Sequence, residues 1–331
     1  MSILQKVKGQ VKKIIIDIVE VIMVEDVKCK KIIATFQNDN LMLEGPKNFE
    51  FAIDNNISIV IEQLGVRIIK VISRQEESFR ELYGIFTKIE RLLMVFDGRF
   101  MALKELLFED STEGTSKQLK SYASNIMKTR LSYYNSADFC DYKLDKLLDF
   151  EKIITTELFD NWIELLDELD IVHQMFLYST SDSKMPIDVK CAFLIELSEP
   201  LVEVVKTNTH FYSSLNPGER GTSLKMCIDA LISKYGTDIF AKEIASNYDK
   251  FLQTIVNSRV RIMHIKRQQK GLFFNGSESI LYAQKMTVLY RRILFEILGI
   301  DKELYKEKMA SQIKSLDNWN DVQAKFLAKL N

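Results

Sequence analysis

The sequence predicts an α+β chain that is mainly α: a small N-terminal antiparallel β region followed by a C-terminal all-α helical bundle. Three observations lead there. Short runs rich in β-branched residues, separated by turn chemistry, lie between Lys30 and Ser73. From Glu76 onward the apolar residues recur at steps of three and four, the period of a helix. Only 4 Pro and 12 Gly occur in 331 residues, too few for a chain built of many short strands and turns.

Composition narrows the function classes. Hydrophobic residues make up 47% and charged residues 27%, which is globular composition, neither disordered nor fibrous. With 45 Lys+Arg against 46 Asp+Glu the formal charge is −1, so no long-range field draws in nucleic acid or an anionic membrane. An anionic ligand therefore needs a local basic patch. Near the start, Lys6, Lys8, Lys12 and Lys13 precede the apolar stretch Ile14 to Val24, a superficial likeness to a signal peptide, but Asp17 and Glu20 interrupt it. No stretch approaches the roughly 18 uninterrupted apolar residues of a spanning helix. Neither a targeting nor a membrane segment is expected, and Cys29, Cys140, Cys191 and Cys227, spread singly, fit a reduced cytoplasmic location.

Strands are expected at Lys31–Phe36, Phe49–Ile53, Ile57–Ile61 and Val66–Ile72, punctuated by Asn38 to Asn40, Gly45-Pro46 and Asp54 to Asn56. A buried helix through Ile57 to Ile72 is the competing reading of the same apolar runs. Phe79, Leu82, Phe86, Ile89, Leu93 and Phe96 then mark a helix that Gly98 stops. Ser111 to Ser124, rich in Ser, Thr, Gly and Lys, is read as a linker or long loop.

Helical patterns follow over Leu144 to Leu177, Pro186 to Thr207 with a kink at Pro200, Ser223 to Tyr235 closed by Gly236, Thr237 to Lys266, and Ser277 to Leu298. A charged helical tail runs from Lys302. The expected domains are 1–110, β-rich plus a helix and regulatory or substrate-selecting; 111–145, a linker or helical connection; 146–310, the helical domain; and 311–331, a helical tail.

Few residues can carry acid–base chemistry, because only His173, His210 and His264 are present. His173 accompanies the stripe Leu165, Leu169, Val172, Phe176 and reads as a structural helix residue, and His210 as a loop residue. No H-E-x-x-H, H-x-H or paired cysteines occur, so no metal and no cofactor are expected. His264 differs in its surroundings. Asn257, Ser258, Arg259, Arg261, His264, Lys266 and Arg267 fall close together on one helical segment, and no Asp or Glu occurs between Asp249 and Glu278. That stretch is either a phosphate site or a solvated basic helix face.

The spacing Arg259-x4-His264 resembles the R-x4–6-H motif of the HEPN ribonuclease superfamily. Its context, late in a helical region, preceded by Ile255-Val256-Asn257-Ser258 and followed after a polar loop by a last long helix ending Leu294 to Gly299, looks like the C-terminal HEPN domain of ApeA-type bacterial proteins. The resemblance covers roughly 184–300. It implies metal-independent RNA cleavage in which Arg259 holds the phosphodiester and His264 moves the proton, leaving a 2′,3′-cyclic phosphate and a 5′-hydroxyl. Asn257 and Ser258 become supporting or phosphate contacts; Arg261, Lys266, Arg267 and Lys270 RNA-backbone contacts; Phe273 and Phe274 stacking or core residues. The family's usual polar residue after the arginine is Val260 here.

On an ideal helix Arg259 and His264 stand roughly 140° apart. The resemblance meets that gap with a helix irregularity and a homodimer whose two motifs line one cleft. It further implies a role in phage defence or as a growth-arresting toxin, held in check by a regulatory partner or antitoxin. The alternative is a catalytically silent helical module that dimerises and binds a protein or a nucleotide.

Overall fold

The computed structural model describes residues 27–37, 47–63, 66–98, 102–111, 115–134, 146–180, 185–207, 223–264 and 271–331. The stretch Ile14 to Val24, Cys140, His210, Lys266, Arg267 and Lys270 lie outside them. The fold is α+β and mainly α. Two compact units divide it: the described parts of 1–35, 39–87 and 103–127 form the first, and those of 36–38, 88–102 and 128–331 the second.

The first unit is built on a five-stranded sheet in the order β2-β3-β4-β1-β5, with β1 Lys28–Gln37, β2 Lys47–Ala52, β3 Ile57–Gln63, β4 Arg67–Ser78 and β5 Ala102–Glu109. Asp54 shapes the β2–β3 turn, its carboxylate accepting from the amides of Asn56 at 2.7 Å and Ile57 at 2.6 Å. The register that follows pairs Ala52 with Ser58 and Phe49 with Ile61, and β4 returns antiparallel with Ile61 opposite Ile69. Ile57, Ile59 and Ile61 are buried on alternate positions, the period of a strand, which excludes the helical reading of this stretch.

Strand β5 was not legible. Ala102–Glu109 reads Ala-Leu-Lys-Glu-Leu-Leu-Phe-Glu, helix-favouring residues with no β-branched one. Buried Leu106 and Phe108 alternate with exposed neighbours, and Lys31 Nζ meets Glu109 Oε2 at 3.0 Å, so packing overrides local propensity.

Helix α1, Phe79–Asp97, carries the expected stripe and ends at Gly98, whose φ of 66° is left-handed backbone that glycine adopts freely. In the first unit Phe79 meets Phe108 edge-on at 5.0 Å and Tyr122 at 5.4 Å. Tyr122 belongs to α2, Lys117–Tyr134, which corrects the reading of Ser111 to Ser124 as a loop. Ser116 Oγ caps this helix by accepting from Leu119 N at 3.2 Å. Polar composition hid it, because the buried Leu119 and Ala123, one turn apart, are sparse among polar neighbours.

The second unit holds α3 Thr156–Thr180, α4 Ile187–Glu196, α5 Ser198–Thr207, α6 Leu224–Leu231, α7 Ala241–Met263, α8 Ser277–Ile297, α9 Lys306–Asp317 and α10 Asn320–Leu330. Helix α3 starts later than the expected Leu144. Residues 146–149 are non-helical, Phe150–Lys152 is a 3-10 turn, and Thr155 Oγ1 accepts from Leu158 N at 3.0 Å to open the helix. Between α6 and α7, Ile232–Gly236 forms a π turn and 237–240 are turns, so the expected start at Thr237 moves to Ala241.

The core lies around α8, which is buried along most of its length. Arg291, fully buried, donates to the Val95 and Phe96 carbonyls at 2.8 Å, a cation at the C-terminal end of α1 where the helix dipole favours it. Trp162 Nε1 donates to Lys88 O at 2.9 Å.

Asp149, before the 3-10 turn, gives a pH prediction. Burial pushes its carboxyl up, but hydrogen bonds from Lys146 and Lys152 and the charge of Lys308 outweigh it and lower the pKa to about 2. A carboxylate depressed in the folded state contributes stability that is present above the ordinary value near 4 and lost as pH falls towards about 2. Urea melts across pH 5 to 2 are therefore expected to show a steeper acid loss for the wild type than for Asp149→Asn; parallel curves would refute the assignment.

Candidate active site

Two helices bring the site together. Helix α4 ends at Glu196 because Pro200, four residues on, has no N–H for the Glu196 carbonyl; Leu197 and Leu201 keep the ladder on either side through Leu197 N to Phe193 O and Leu201 N to Leu197 O. The predicted kink thus falls at Leu197, with Pro200 in the first turn of α5. Helix α7 packs on α4 and ends at Met263. His264 takes φ −101° and ψ 6° while its amide still donates to Val260 O at 3.1 Å.

Ending the helix there changes the geometry that an ideal helix imposes. His264 leaves the helical track, and the long Arg259 side chain reaches it, so Arg259 Nη1 lies 3.1 Å from His264 Nε2. The two stand side by side within one chain. Nη1 can only donate, so a hydrogen bond between the two requires Nε2 to accept, with the ring proton on Nδ1. His264 is exposed, whereas the Arg259 side chain is 19% exposed.

Glu196 reaches the same guanidinium from α4. Its Oε1 accepts from Nη2 at 2.7 Å and its Oε2 from Nε, a bidentate pair on the side edge of the fork. This hydrogen bonding raises the Arg259 pKa further above its ordinary value. Sequence reading missed Glu196, which is 63 residues from Arg259. The available signals were indirect: a stretch without acids between Asp249 and Glu278 must find its counter-charge elsewhere, and Pro200 marks a helix end.

The other named residues serve the segment after the motif. Asn257 Nδ2 donates to Leu272 O at 3.0 Å, Ser258 Oγ accepts from Phe274 N at 2.7 Å, and the Arg261 guanidinium stacks 4.1 Å from the Phe273 ring centroid. Three residues of α7 thus grip three successive residues leading into α8. Phe274 is buried against Tyr282, ring centroids 4.1 Å apart, and is a core residue.

Ser258 is 6% exposed and also donates to Thr254 O at 2.7 Å. Ser258→Ala strands the Phe274 amide and is expected to cost about 1–3 kcal/mol in denaturant unfolding; a loss within 0.5 kcal/mol, the ordinary surface value, would contradict this.

The remaining chemistry-bearing residues lie elsewhere. His173 is fully buried, edge-on to Trp162 and 3.1 Å from Tyr290 Oη. Burial pushes the Cys29 thiol up to about 12 and raises Cys191 as well, so neither is a nucleophile at neutral pH. Among the described residues no group of three or more His, Cys, Asp and Glu converges, and no helix is long and apolar enough to cross a membrane.

Residues 195–304, in the C-terminal half, match the model of the family described as Apea-like HEPN, and the match spans Glu196, Arg259 and His264. No curated protein and no solved structure matches the chain.

Proposed function

We propose that the chain is a metal-independent endoribonuclease, with Arg259 and His264 as its catalytic residues. The observation that supports this most is the 3.1 Å approach of Nη1 to Nε2 beside a carboxylate-bound guanidinium. With its side edge on Glu196, Arg259 keeps the Nη1–Nη2 edge for a phosphodiester, where it stabilises charge building on the phosphoryl oxygens. Once a phosphate draws Nη1 away, the Nε2 lone pair is released next to it.

The ribose 2′-oxygen then attacks phosphorus, its proton passing to Nε2, while the bond to the 5′-oxygen breaks and that oxygen takes a proton. The products are a 2′,3′-cyclic phosphate and a 5′-hydroxyl. One neutral imidazole serves only one of the two proton transfers. A second copy of the chain supplying its own motif to the same cleft meets that need, so the proposal includes a homodimer with a composite site. Single-stranded RNA is the substrate class, and the biological setting carried by the resemblance is phage defence or growth arrest, under a regulatory partner or antitoxin.

A second reading has its own observation. Val260, in the position after the arginine, brings no hydrogen-bonding side chain to the site, which suits a silent module that binds a protein or nucleotide. The deciding experiment is incubation of total bacterial RNA, tRNA included, with purified protein in EDTA, comparing the wild type with Arg259→Ala and His264→Ala. Discrete cuts ending in cyclic phosphate that vanish in both variants support the enzyme. A folded wild type that binds RNA without cutting it favours the module.

A further inference from the structure

We infer that Glu196 is a positioning residue: it holds the Arg259 guanidinium by its side edge and thereby sets both the direction of the Nη1–Nη2 edge and the protonated nitrogen of His264. The part concerning RNA rests on the ribonuclease reading; the part concerning His264 does not.

The geometry carries it. Arg259 extends from a helix just before its last turn, four residues from the end at Met263, and a long side chain there has many rotamers; two charge-assisted bonds to one carboxylate leave the planar fork a single orientation. In that orientation Nη1 falls 3.1 Å from His264 Nε2. Glu196 is itself fixed, since it closes α4 at the break that Pro200 imposes, with buried Ile195 and Leu197 on either side. It is 25% exposed in its side chain, enough shielding for the pair to outlast surface screening. Glu199, on the next helix, adds a weaker pull on the same guanidinium and makes no hydrogen bond to it.

A latch that withholds Arg259 from substrate would look different. It would put its carboxylate on the end edge that fits a phosphate, whereas Glu196 puts it on the side edge, and at the end edge Nη1 meets the neutral acceptor His264 Nε2.

Two measurements on the full chain test this. In the first, histidine-labelled protein is observed by long-range proton–nitrogen NMR near pH 8.5, where an ordinary imidazole is neutral. Wild-type His264 is expected with its proton on Nδ1, and Glu196→Ala is expected to move it towards the Nε2–H form that free histidine prefers, with His173 unchanged as reference. A His264 tautomer identical in wild type and variant overturns the inference.

In the second, single-turnover cleavage of a single-stranded RNA is compared with its binding. Glu196→Ala and Glu196→Gln are expected to cut about 10²-fold more slowly, the scale of a misplaced catalytic group, with RNA affinity unchanged or tighter because a negative charge is gone. Glu196→Asp, which restores a two-oxygen carboxylate, is expected to recover part of the rate. Variants that cut as fast as wild type or faster, or Glu196→Asp as slow as Glu196→Ala, overturn the inference. A wild type that does not cut at all sinks the ribonuclease reading, and the NMR measurement still decides the role of Glu196.

Discussion

Glu243→Ala is expected to lower the unfolding free energy by about 3–5 kcal/mol, the cost of leaving a buried charge without its partner. Glu243, in the first turn of α7, is fully buried, and Lys285 of α8 is 1% exposed. Lys285 Nζ donates to both carboxylate oxygens at 2.9 and 3.0 Å, Tyr282 Oη to Oε1 at 3.0 Å, and Gln323 Nε2 of α10 to Oε1 at 2.9 Å. One carboxylate therefore ties three helices together.

After its removal the ammonium keeps, among the described residues, Asp317 Oδ1 at 3.7 Å and the faces of Phe240 and Tyr282 at 5.5 and 6.0 Å. That is too little to replace hydration. Set against a typical total of about 5–15 kcal/mol, the loss is large enough to unfold much of the protein at 37 °C. Replacing both partners, Glu243→Met with Lys285→Met, is expected to recover most of it, because no isolated charge remains. Urea midpoints of the wild type, both single variants and the double variant check this. A single variant within 1 kcal/mol of wild type would show that water enters the cluster.

His264→Ala is expected to slow RNA cleavage by about 10²- to 10⁴-fold, the range that one general acid or base contributes. Its cost in stability is expected to be small, because the ring is exposed and its hydrogen bond to Arg259 is also exposed. Arg259→Lys is the informative companion. A lysine keeps the charge but cannot donate bidentately to Glu196 while also meeting a phosphate, so it is expected to fall nearly as far as Arg259→Ala, about 10²- to 10³-fold. Rates measured with the thermal unfolding temperature of each variant separate chemistry from folding. Cutting that survives His264→Ala at the wild-type rate would place the active site elsewhere.

Much of the fold was legible because its signals are local. The apolar stripe of α1 and its stop at Gly98, the strand alternation through Ile57 to Ile61 and the existence of α8 all follow from spacing within one element. What failed did so where composition and context disagree. Strand β5 has the residues of a helix but lies at a sheet edge, and α2 has the residues of a loop but is seated by Leu119, Tyr122 and Ala123. The sequence pattern puts the start of α3 too early because apolar 3-10 and non-helical residues, Leu147, Leu148 and Phe150, continue a helix-like pattern.

The site divides along the same line. Arg259, His264 and the basic character of their helix were set by residues within a few turns of each other, so the sequence alone determined which groups stand there. Their alignment was not. An ideal helix holds the two apart, and only the helix end at Met263, the packing of α4 on α7, and a carboxylate 63 residues away bring Nη1 to Nε2. The physical reason is range: backbone hydrogen bonding and side-chain periodicity act over three or four residues, whereas the orientation of a long charged side chain is fixed by whichever opposite charge the tertiary fold places beside it.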